Sequence, residues 1–295
     1  MNTALGALAA ALGWTIPSEL AVIAARLSSS RWPEVVDRWS RLTPSGFPVE
    51  LMVTPEAAPR WASEIAGPEI PDSERIGLVA AHLAAAAQPI APSLLDTLSA
   101  LQRDCALRFG AWIGGRRVHD ATHFKLYSEV SRTCPFAALP LPDALRPVLA
   151  RLPAGAYPSQ IGVSPLISRV ELYIGLPMIG IDDLRPAFTA AQCPWAVEAI
   201  ARVLPDSLRR LAGRRLGISL ASGPDNQIDF TVFGSVRTIF PGATECIGAL
   251  VPRLADIPFT IVRPTIFAMT VQPNRERVAL GVGVTHRASG VGGFG

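Results

Sequence analysis

The sequence predicts a closed barrel of ten antiparallel β-strands, built from five β-hairpins and surrounded by a ring of α-helices. Strand-like segments with period-two alternation come in pairs, and a turn signal joins the members of each pair. A helical stretch separates each pair from the next. A sandwich would not place a helix between all its hairpins, and a βαβ fold would alternate single strands. Five hairpins can close on themselves, which leaves no open strand edge.

The elements follow in a regular order along the chain. Ser18 can cap the first long helix, and Ser93 opens a capping-box pattern in the second helical stretch. The second hairpin is predicted to turn between Gly114 and Asp120, and the fourth at Gly223–Asn226. The predicted helices are 17–40, 73–104 with a break near Pro89 and Pro92, about 142–152, about 182–211 and about 243–254. The predicted strand pairs are 47–54 with 60–65, 108–113 with 123–130, 160–163 with 169–175, 216–221 with 227–233, and 266–271 with 277–284.

The composition is that of one globular domain, predicted to span residues 1–295 with a disordered Gly-rich tail at 286–295. Hydrophobic residues make up 49% of the 295 and charged residues 17%, which suits a large core. The mean hydropathy is +0.31, yet no stretch resembles a membrane span. The net charge of +3 comes from scattered basic residues, so no nucleic-acid partner is predicted. The four cysteines lie far apart, which indicates reduced thiols in a cytoplasmic protein. We separately expect the protein to be a monomer or a homodimer.

Each predicted strand has one aliphatic face and one polar or aromatic face. In strand 123–130, Phe124 and Leu126 alternate with Lys125 and Tyr127. Helices must cover the aliphatic faces, so the polar faces line either a barrel lumen or, on an open α+β sheet, bulk solvent. We expect a lumen, because the polar faces are rich in Arg, Tyr and the chain's only lysine, Lys125. Such donors can bind a diphosphate, and tyrosine rings can shield a carbocation.

The order of local motifs resembles the barrel-fold aromatic prenyltransferases, especially the indole or dimethylallyltryptophan-synthase group. Residues 42–50 (LTPSGFPVE) are similar to the family's strand-one phrase Gly-x-Pro-Val/Ile-Glu. Residues 60–64 (RWASE) resemble its Arg-Tyr-x-x-Glu phrase, and Lys125-Leu126-Tyr127 resembles its Lys-x-Tyr pair. Residues 169–173 (RVELY) resemble Arg-x-Lys-x-Tyr, and Gln227 stands where a diphosphate-side glutamine is expected. The resemblance spans roughly residues 40–285 and implies transfer of a dimethylallyl or longer prenyl group from its diphosphate to an aromatic acceptor.

The resemblance also implies roles for individual residues. Glu50 would hold an indole N–H and help to deprotonate the ring, while Met52, Trp112 and Glu171 would line the acceptor side of the lumen. No cofactor and no Mg²⁺ would be required, since Asp182-Asp183 lacks the third aspartate of a magnesium–diphosphate motif. The partners would be a prenyl diphosphate and a small aromatic molecule, or the aromatic side chain of a peptide. The diphosphate would be bound by Arg60, Lys125, Tyr127, Arg169, Tyr173, Gln227 and, in the last hairpin, Arg277.

Two departures from the family pattern bear on the site. Glu171 replaces the expected lysine, and we expect it either to pair with Arg169 or to mark a displaced site. Asp229 and Thr231 occupy the face where a tyrosine is expected. Glu50 could also be a surface carboxylate beside Arg60. The alternatives for function are a non-catalytic barrel that binds an apolar ligand or peptide, and a different lumen enzyme such as an isomerase or cyclase.

Overall fold

A computed structural model of the protein describes residues 2–28, 40–55, 60–103, 105–204, 211–240 and 245–287. Its centre is a closed barrel of ten antiparallel strands, which confirms the predicted fold class. Each strand pairs with its neighbours in the chain, and the last strand closes the barrel on the first. The strands are β1 (Val49–Val53), β2 (Arg60–Glu64), β3 (Ala111–Val118), β4 (Ala121–Glu129), β5 (Tyr157–Ser164), β6 (Arg169–Ile179), β7 (Arg214–Ser222), β8 (Ile228–Ser235), β9 (Val262–Gln272) and β10 (Arg275–His286).

Helices lie outside the barrel between the hairpins. Short 3₁₀ turns occupy Asp72–Glu74, Phe136–Ala138, Asp143–Leu145, Pro165–Ile167, Ile181–Leu184 and Pro252–Leu254. None of the helices in the described ranges is long and apolar enough to cross a membrane. The α-helices of these ranges are α1 (Asn2–Ala11), α2 (Ser18–Ser28), α3 (Arg75–Ala85), α4 (Pro92–Arg103), α5 (Arg146–Leu149), α6 (Arg185–Ala190), α7 (Ala196–Val203), α8 (Val236–Ile239) and α9 (Glu245–Leu250).

The aliphatic strand faces form the core between barrel and helices. Val49, Leu51 and Val53 on β1 are almost completely buried, whereas Glu50 and Met52 between them remain partly accessible. The same alternation runs through β4 and β8. The barrel therefore has an aliphatic outer surface under the helices and a separate inner surface.

The second hairpin turns later than predicted. Gly114 and Gly115 lie inside β3, and the turn is formed by His119 and Asp120. A β-carbon on Gly114 would lie 2.6 Å from the Tyr127 ring, and one on Gly115 would lie 2.3 Å from the indole of Trp61. These glycines therefore make room for aromatic rings on the two faces of the sheet rather than forming a turn.

The predicted strand start at Arg108 is also wrong, because β3 begins at Ala111. The carboxylate of Glu129 accepts hydrogen bonds from the backbone N–H groups of Arg108, Phe109 and Gly110, at 2.8–2.9 Å. Gly110 has a φ of +64°, which an L side chain rarely adopts. Three successive N–H groups that point at one carboxylate cannot take part in a strand ladder, so this segment is a tight loop.

The remaining differences concern helix lengths and the chain end. The predicted helix at 142–152 is reduced to a 3₁₀ turn and one α-helical turn, and the helix at 182–211 is broken between α6 and α7. Pro194 lies in that break, where proline cannot donate to a helical hydrogen bond. His286 belongs to β10 rather than to a tail. The predictions for 29–39, 205–210, 241–244 and 288–295 lie outside the described residues.

Candidate active site in the barrel lumen

Large and small residues alternate around the lumen. Each of several large inner side chains lies across a glycine of the neighbouring strand, so a β-carbon on that glycine would collide with it. Small barrels commonly fill their interior in this way, and the absence of a β-carbon fixes where each large side chain lies. On β10, Gly281 and Gly283 lie directly under large inner side chains of β1. The pairs are Tyr127 over Gly114, Lys125 over Gly162, Tyr157 over Gly175, Phe233 over Gly217, Met52 over Gly281 and Glu50 over Gly283.

Lys125 lies at the centre of the predicted site. Its ammonium group is 3.0 Å from the hydroxyl of Tyr173 and forms a short ion pair with Glu171. The same nitrogen lies 4.7 Å from the centre of the Tyr127 ring and 5.1 Å from that of Tyr173. The Tyr173 ring in turn contacts Phe233, with ring centres 6.2 Å apart. One cation is therefore enclosed by aromatic rings in the lumen, an arrangement that stabilises positive charge.

Glu171 is the counterion of Lys125 and not of Arg169, although pairing with Arg169 was one of the two expected alternatives. Burial alone would raise the pKa of Glu171, but the adjacent Lys125 ammonium lowers it to about 2, with help from Ser219 and Arg169. Burial raises the pKa of Tyr173, and the Glu171 carboxylate raises it further. Glu171 therefore stays ionised and Tyr173 stays a neutral hydrogen-bond donor at neutral pH.

Arg169 has a counterion of its own. Its guanidinium forms a short ion pair with Asp229 on β8, and the other carboxylate oxygen of Asp229 accepts a hydrogen bond of 2.7 Å from Gln272. The side chains of Arg169 and Asp229 are 29% and 19% exposed, so both remain accessible from the lumen. Two of the predicted diphosphate-binding cations are thus already paired with carboxylates.

Three arginines and a histidine lie together at one end of the lumen, which we call the mouth (Arg60, Arg116, His123 and Arg169). Arg60 and Arg116 are register partners on β2 and β3, and Arg116 in turn pairs with His123 on β4. Burial lowers the pKa of Arg116, and the nearby charges of Arg60 and Arg169 lower it further. Sequence reasoning missed Arg116 because the false turn at Gly114-Gly115 took it out of the strand. Its even spacing from Trp112 and Gly114 is the signal that would have found it.

Glu50 faces the lumen from β1. Its carboxylate accepts a hydrogen bond of 2.5 Å from the hydroxyl of Thr265, and it packs over the backbone of Gly283. Burial raises the pKa of Glu50 to about 7, against the opposing effect of that hydrogen bond. The alternative was a surface carboxylate beside Arg60. Glu50 is only partly accessible, and its register partner on β2 is Ala62, whereas Arg60 lies opposite Met52. A carboxyl group with a pKa near neutrality is suited to general base catalysis.

A second carboxylate with a raised pKa, that of Glu64, is buried at the end of β2. It accepts hydrogen bonds of 2.6 Å from Ser40, 2.6 Å from Arg75 and 3.0 Å from the indole of Trp112. Burial raises the pKa of Glu64 to about 7 despite the Arg75 guanidinium beside it. The Trp112 ring stacks on Phe109, with ring centres 3.7 Å apart. These contacts hold Trp112 in place, so it is a fixed wall of the predicted acceptor side.

Three predicted site residues lie on other elements of the barrel: Gln227 before β8, Arg277 on β10 and Met52 on β1. Gln227 is exposed in the turn before β8, and its backbone N–H binds Asp225. Arg277 is exposed near the start of β10, and Met52 lies in the lumen against Gly281. The structure brings Lys125, Tyr127, Tyr173, Glu171 and Arg169 together, and it places Gln227 outside this group. No cluster of His, Cys, Asp or Glu in the described ranges could hold a metal ion.

The fold of this chain, over nearly its whole length, is similar to that of solved protein structures. No family model and no curated protein sequence matches. Among solved structures, 6-dimethylallyltryptophan synthase from Micromonospora olivasterospora, in complex with DMASPP and Trp, is 18% identical with a TM-score of 0.69. That alignment covers 96% of this chain and 95% of the other.

Two further solved structures have a similar fold. The 5-dimethylallyl tryptophan synthase from Streptomyces coelicolor, also in complex with DMASPP and Trp, is 17% identical at a TM-score of 0.66, over 96% of this chain and 92% of that one. AnaPT from Neosartorya fischeri is 13% identical at a TM-score of 0.63, and the alignment covers 99% of this chain and 94% of AnaPT. The chain has their fold. At these identities the likeness establishes the architecture, a closed ten-stranded barrel ringed by helices.

Proposed function

We propose that the protein is an aromatic prenyltransferase that moves a dimethylallyl or longer prenyl group from its diphosphate to an aromatic acceptor. The observation that carries this proposal is the enclosure of Lys125 by Tyr127 and Tyr173, with Glu50 on the inner surface of the same barrel. The structural neighbours in complex with DMASPP and Trp support the same class of substrates. The rings of Trp112, Tyr173 and Phe233 would stack against an indole-like or phenolic acceptor.

In the proposed reaction, the bond between the allylic carbon and the diphosphate oxygen breaks, and its electron pair leaves with the diphosphate. Arginines at the mouth and Lys125 would neutralise the departing anion, which lowers the barrier because these charges are already in position. The rings of Tyr127 and Tyr173 would shield the allylic cation from water. The aromatic carbon then attacks this cation, and the ring loses one proton.

Glu50 is the proposed acceptor of that proton. Its pKa near 7 lets a sizeable fraction of the enzyme carry a free carboxylate at neutral pH, while the protonated product form remains accessible. Thr265 orients the carboxyl group, and Gly283 lets the group lie close to the wall of the barrel. We propose that the reaction proceeds without Mg²⁺, since protein cations take the part that the metal would play. We further propose a cytoplasmic location, in keeping with the free thiols of Cys105, Cys134 and Cys193.

A second candidate function is a non-catalytic barrel that binds a small aromatic ligand. The specific observation in its favour is that Glu171 and Asp229 neutralise Lys125 and Arg169. Such internal pairing reduces the attraction of this part of the lumen for a diphosphate, because the anion must compete with carboxylates already in place.

Incubation with dimethylallyl or geranyl diphosphate and a panel of indoles, phenols and aromatic peptides separates the two candidates. Release of diphosphate together with an acceptor heavier by one prenyl group, unchanged by EDTA, supports the transferase. Binding of aromatic compounds without diphosphate release for any acceptor supports the binding protein. The double variant E171Q/D229N is a useful companion, because it frees both cations without altering the shape of either side chain greatly.

A further inference from the structure

The charges of the lumen are unevenly compensated. Arg60, Arg116, Lys125 and Arg169 all face the inner surface, and two carboxylates lie among them. Glu171 pairs with Lys125, and Asp229 pairs with Arg169. Within the described ranges, neither Arg60 nor Arg116 has a carboxylate partner. Among these four residues, the uncompensated positive charge therefore lies on Arg60 and Arg116 and not on Lys125 or Arg169.

The position of Arg116 makes this charge available to a ligand. Arg116 is half-buried, and its register partners on the two sides are Arg60 and His123. Burial and the Arg116 charge lower the pKa of His123, so this histidine is neutral at pH 7 and the charge of the group comes from the arginines. Arg169 is close enough for its charge to act on Arg116. Arg60 is exposed at the start of β2, so solvent screens its charge, while that of Arg116 is screened less. Guanidinium groups on neighbouring strands repel one another, and an anion that bridges them removes this repulsion. The planar fork of arginine suits the oxygens of a phosphate.

We propose that the primary anion-binding centre of this barrel is the Arg60–Arg116 pair at the mouth, with Arg169 beside it, and that Lys125, held by Glu171, is a secondary contact. This inference rests on the proposed function, since it names the residues that bind the diphosphate of the prenyl donor. It also assigns roles to two of the acidic residues that face the lumen. Glu171 and Asp229 are internal counterions that set how strongly the inner part of the lumen attracts an anion.

Isothermal titration calorimetry with inorganic pyrophosphate and with dimethylallyl diphosphate tests the assignment at low ionic strength. R116Q should weaken the binding of both probes about 10- to 100-fold, as expected for the loss of charge-assisted hydrogen bonds. The matched control is R117Q. Arg117 is the next residue on the same strand, but it is exposed on the outer face and donates a hydrogen bond to the carbonyl of His119. R117Q should therefore leave both affinities within about twofold of the parent protein.

Two further variants keep the test decisive if R116Q folds poorly. E171Q releases Lys125 and should strengthen pyrophosphate binding, a gain that a damaged fold would not produce. K125M/E171Q, which removes the Lys125–Glu171 pair together and so leaves no unpaired carboxylate, should weaken it less than R60Q does. The assignment is overturned if R116Q and R60Q bind as the parent does, or if K125M/E171Q costs more than either. Failure of the parent protein to bind either probe would instead contradict the proposed function itself, and the inference would fall with it.

Discussion

The ion pair between Lys125 and Glu171 gives the most quantitative prediction about the site. The Glu171 carboxyl has its pKa lowered from 4.5 to about 2, although burial opposes this. A difference of that size corresponds to about 3 kcal/mol in favour of the charged form in the folded protein. Both side chains are 16% exposed, so solvent screens the pair only in part. K125M removes the ammonium and leaves Glu171 charged in the lumen, so we expect it to lower the free energy of unfolding at pH 7 by about 3 kcal/mol.

The pH dependence distinguishes this cause from a simple loss of packing. Because the pKa of Glu171 is lower in the folded state, its stabilising effect is present above about pH 4.5 and is lost as the pH falls towards 2. Urea denaturation of the parent and K125M at pH 7 and pH 3 should show a difference in unfolding free energy that shrinks at the lower pH. The companion variants E171Q and K125M/E171Q complete a double-mutant cycle. A loss that is equal at both pH values, or one below about 0.5 kcal/mol at pH 7, would refute the electrostatic reasoning.

Three other predictions concern Glu50, Glu129 and Gly217. In the parent protein kcat/KM should rise as the pH passes through about 7, because the Glu50 base must be ionised. E50Q should abolish this rise and lower kcat about 100-fold. Measured pH–rate profiles test this, with a substitution of the exposed Glu276, E276Q, as the control. E129Q weakens the acceptor of three backbone N–H groups, so the unfolding free energy should fall by about 2–3 kcal/mol in urea titrations, and an unchanged midpoint would contradict the loop's dependence on this carboxylate. G217A puts a β-carbon 2.3 Å from the Phe233 ring, so it should shift the ring and lower the free energy of unfolding by about 1–3 kcal/mol. G213A is not a suitable control for this variant, because the φ of +63° at Gly213 strains any L side chain.

Much of the barrel was predictable because its strands alternate strictly between aliphatic and polar residues. The five hairpins, the closure of the barrel and the lumen positions of Lys125, Tyr127 and Tyr173 all follow from that period. The second hairpin was predicted less well, because Gly114-Gly115 has the composition of a turn. The reason for those glycines lies in side chains of neighbouring strands, Tyr127 and Trp61, whose positions the local sequence does not reveal.

The partners of the lumen charges were equally hidden. Contact with Arg169, two residues away on the same strand face, was one of the two alternatives expected for Glu171. The contact with Lys125 instead crosses β5, and it is possible because Gly162 leaves space for the lysine side chain. Asp229 was known only as the residue that replaces a tyrosine, and its role as the counterion of Arg169 depends on the pairing of three consecutive strands.

The acidic residues of the lumen distinguish this chain within the aromatic-prenyltransferase pattern that its motifs resemble. A lysine at position 171 would place two cations side by side, whereas Glu171 makes a neutral pair with Lys125. The positive charge is then concentrated at Arg60 and Arg116. We therefore expect binding of the prenyl donor to depend strongly on ionic strength and on the mouth arginines.

The central claim is that the lumen transfers a prenyl group to an aromatic ring. The most direct measurement is mass spectrometry of aromatic acceptors after incubation with dimethylallyl or geranyl diphosphate, for the parent protein and for E50Q. The account predicts an acceptor heavier by one prenyl group with the parent protein, and far less of it with E50Q. Absence of product for every donor and acceptor, with diphosphate left intact, would contradict the claim and favour a barrel that only binds its ligand.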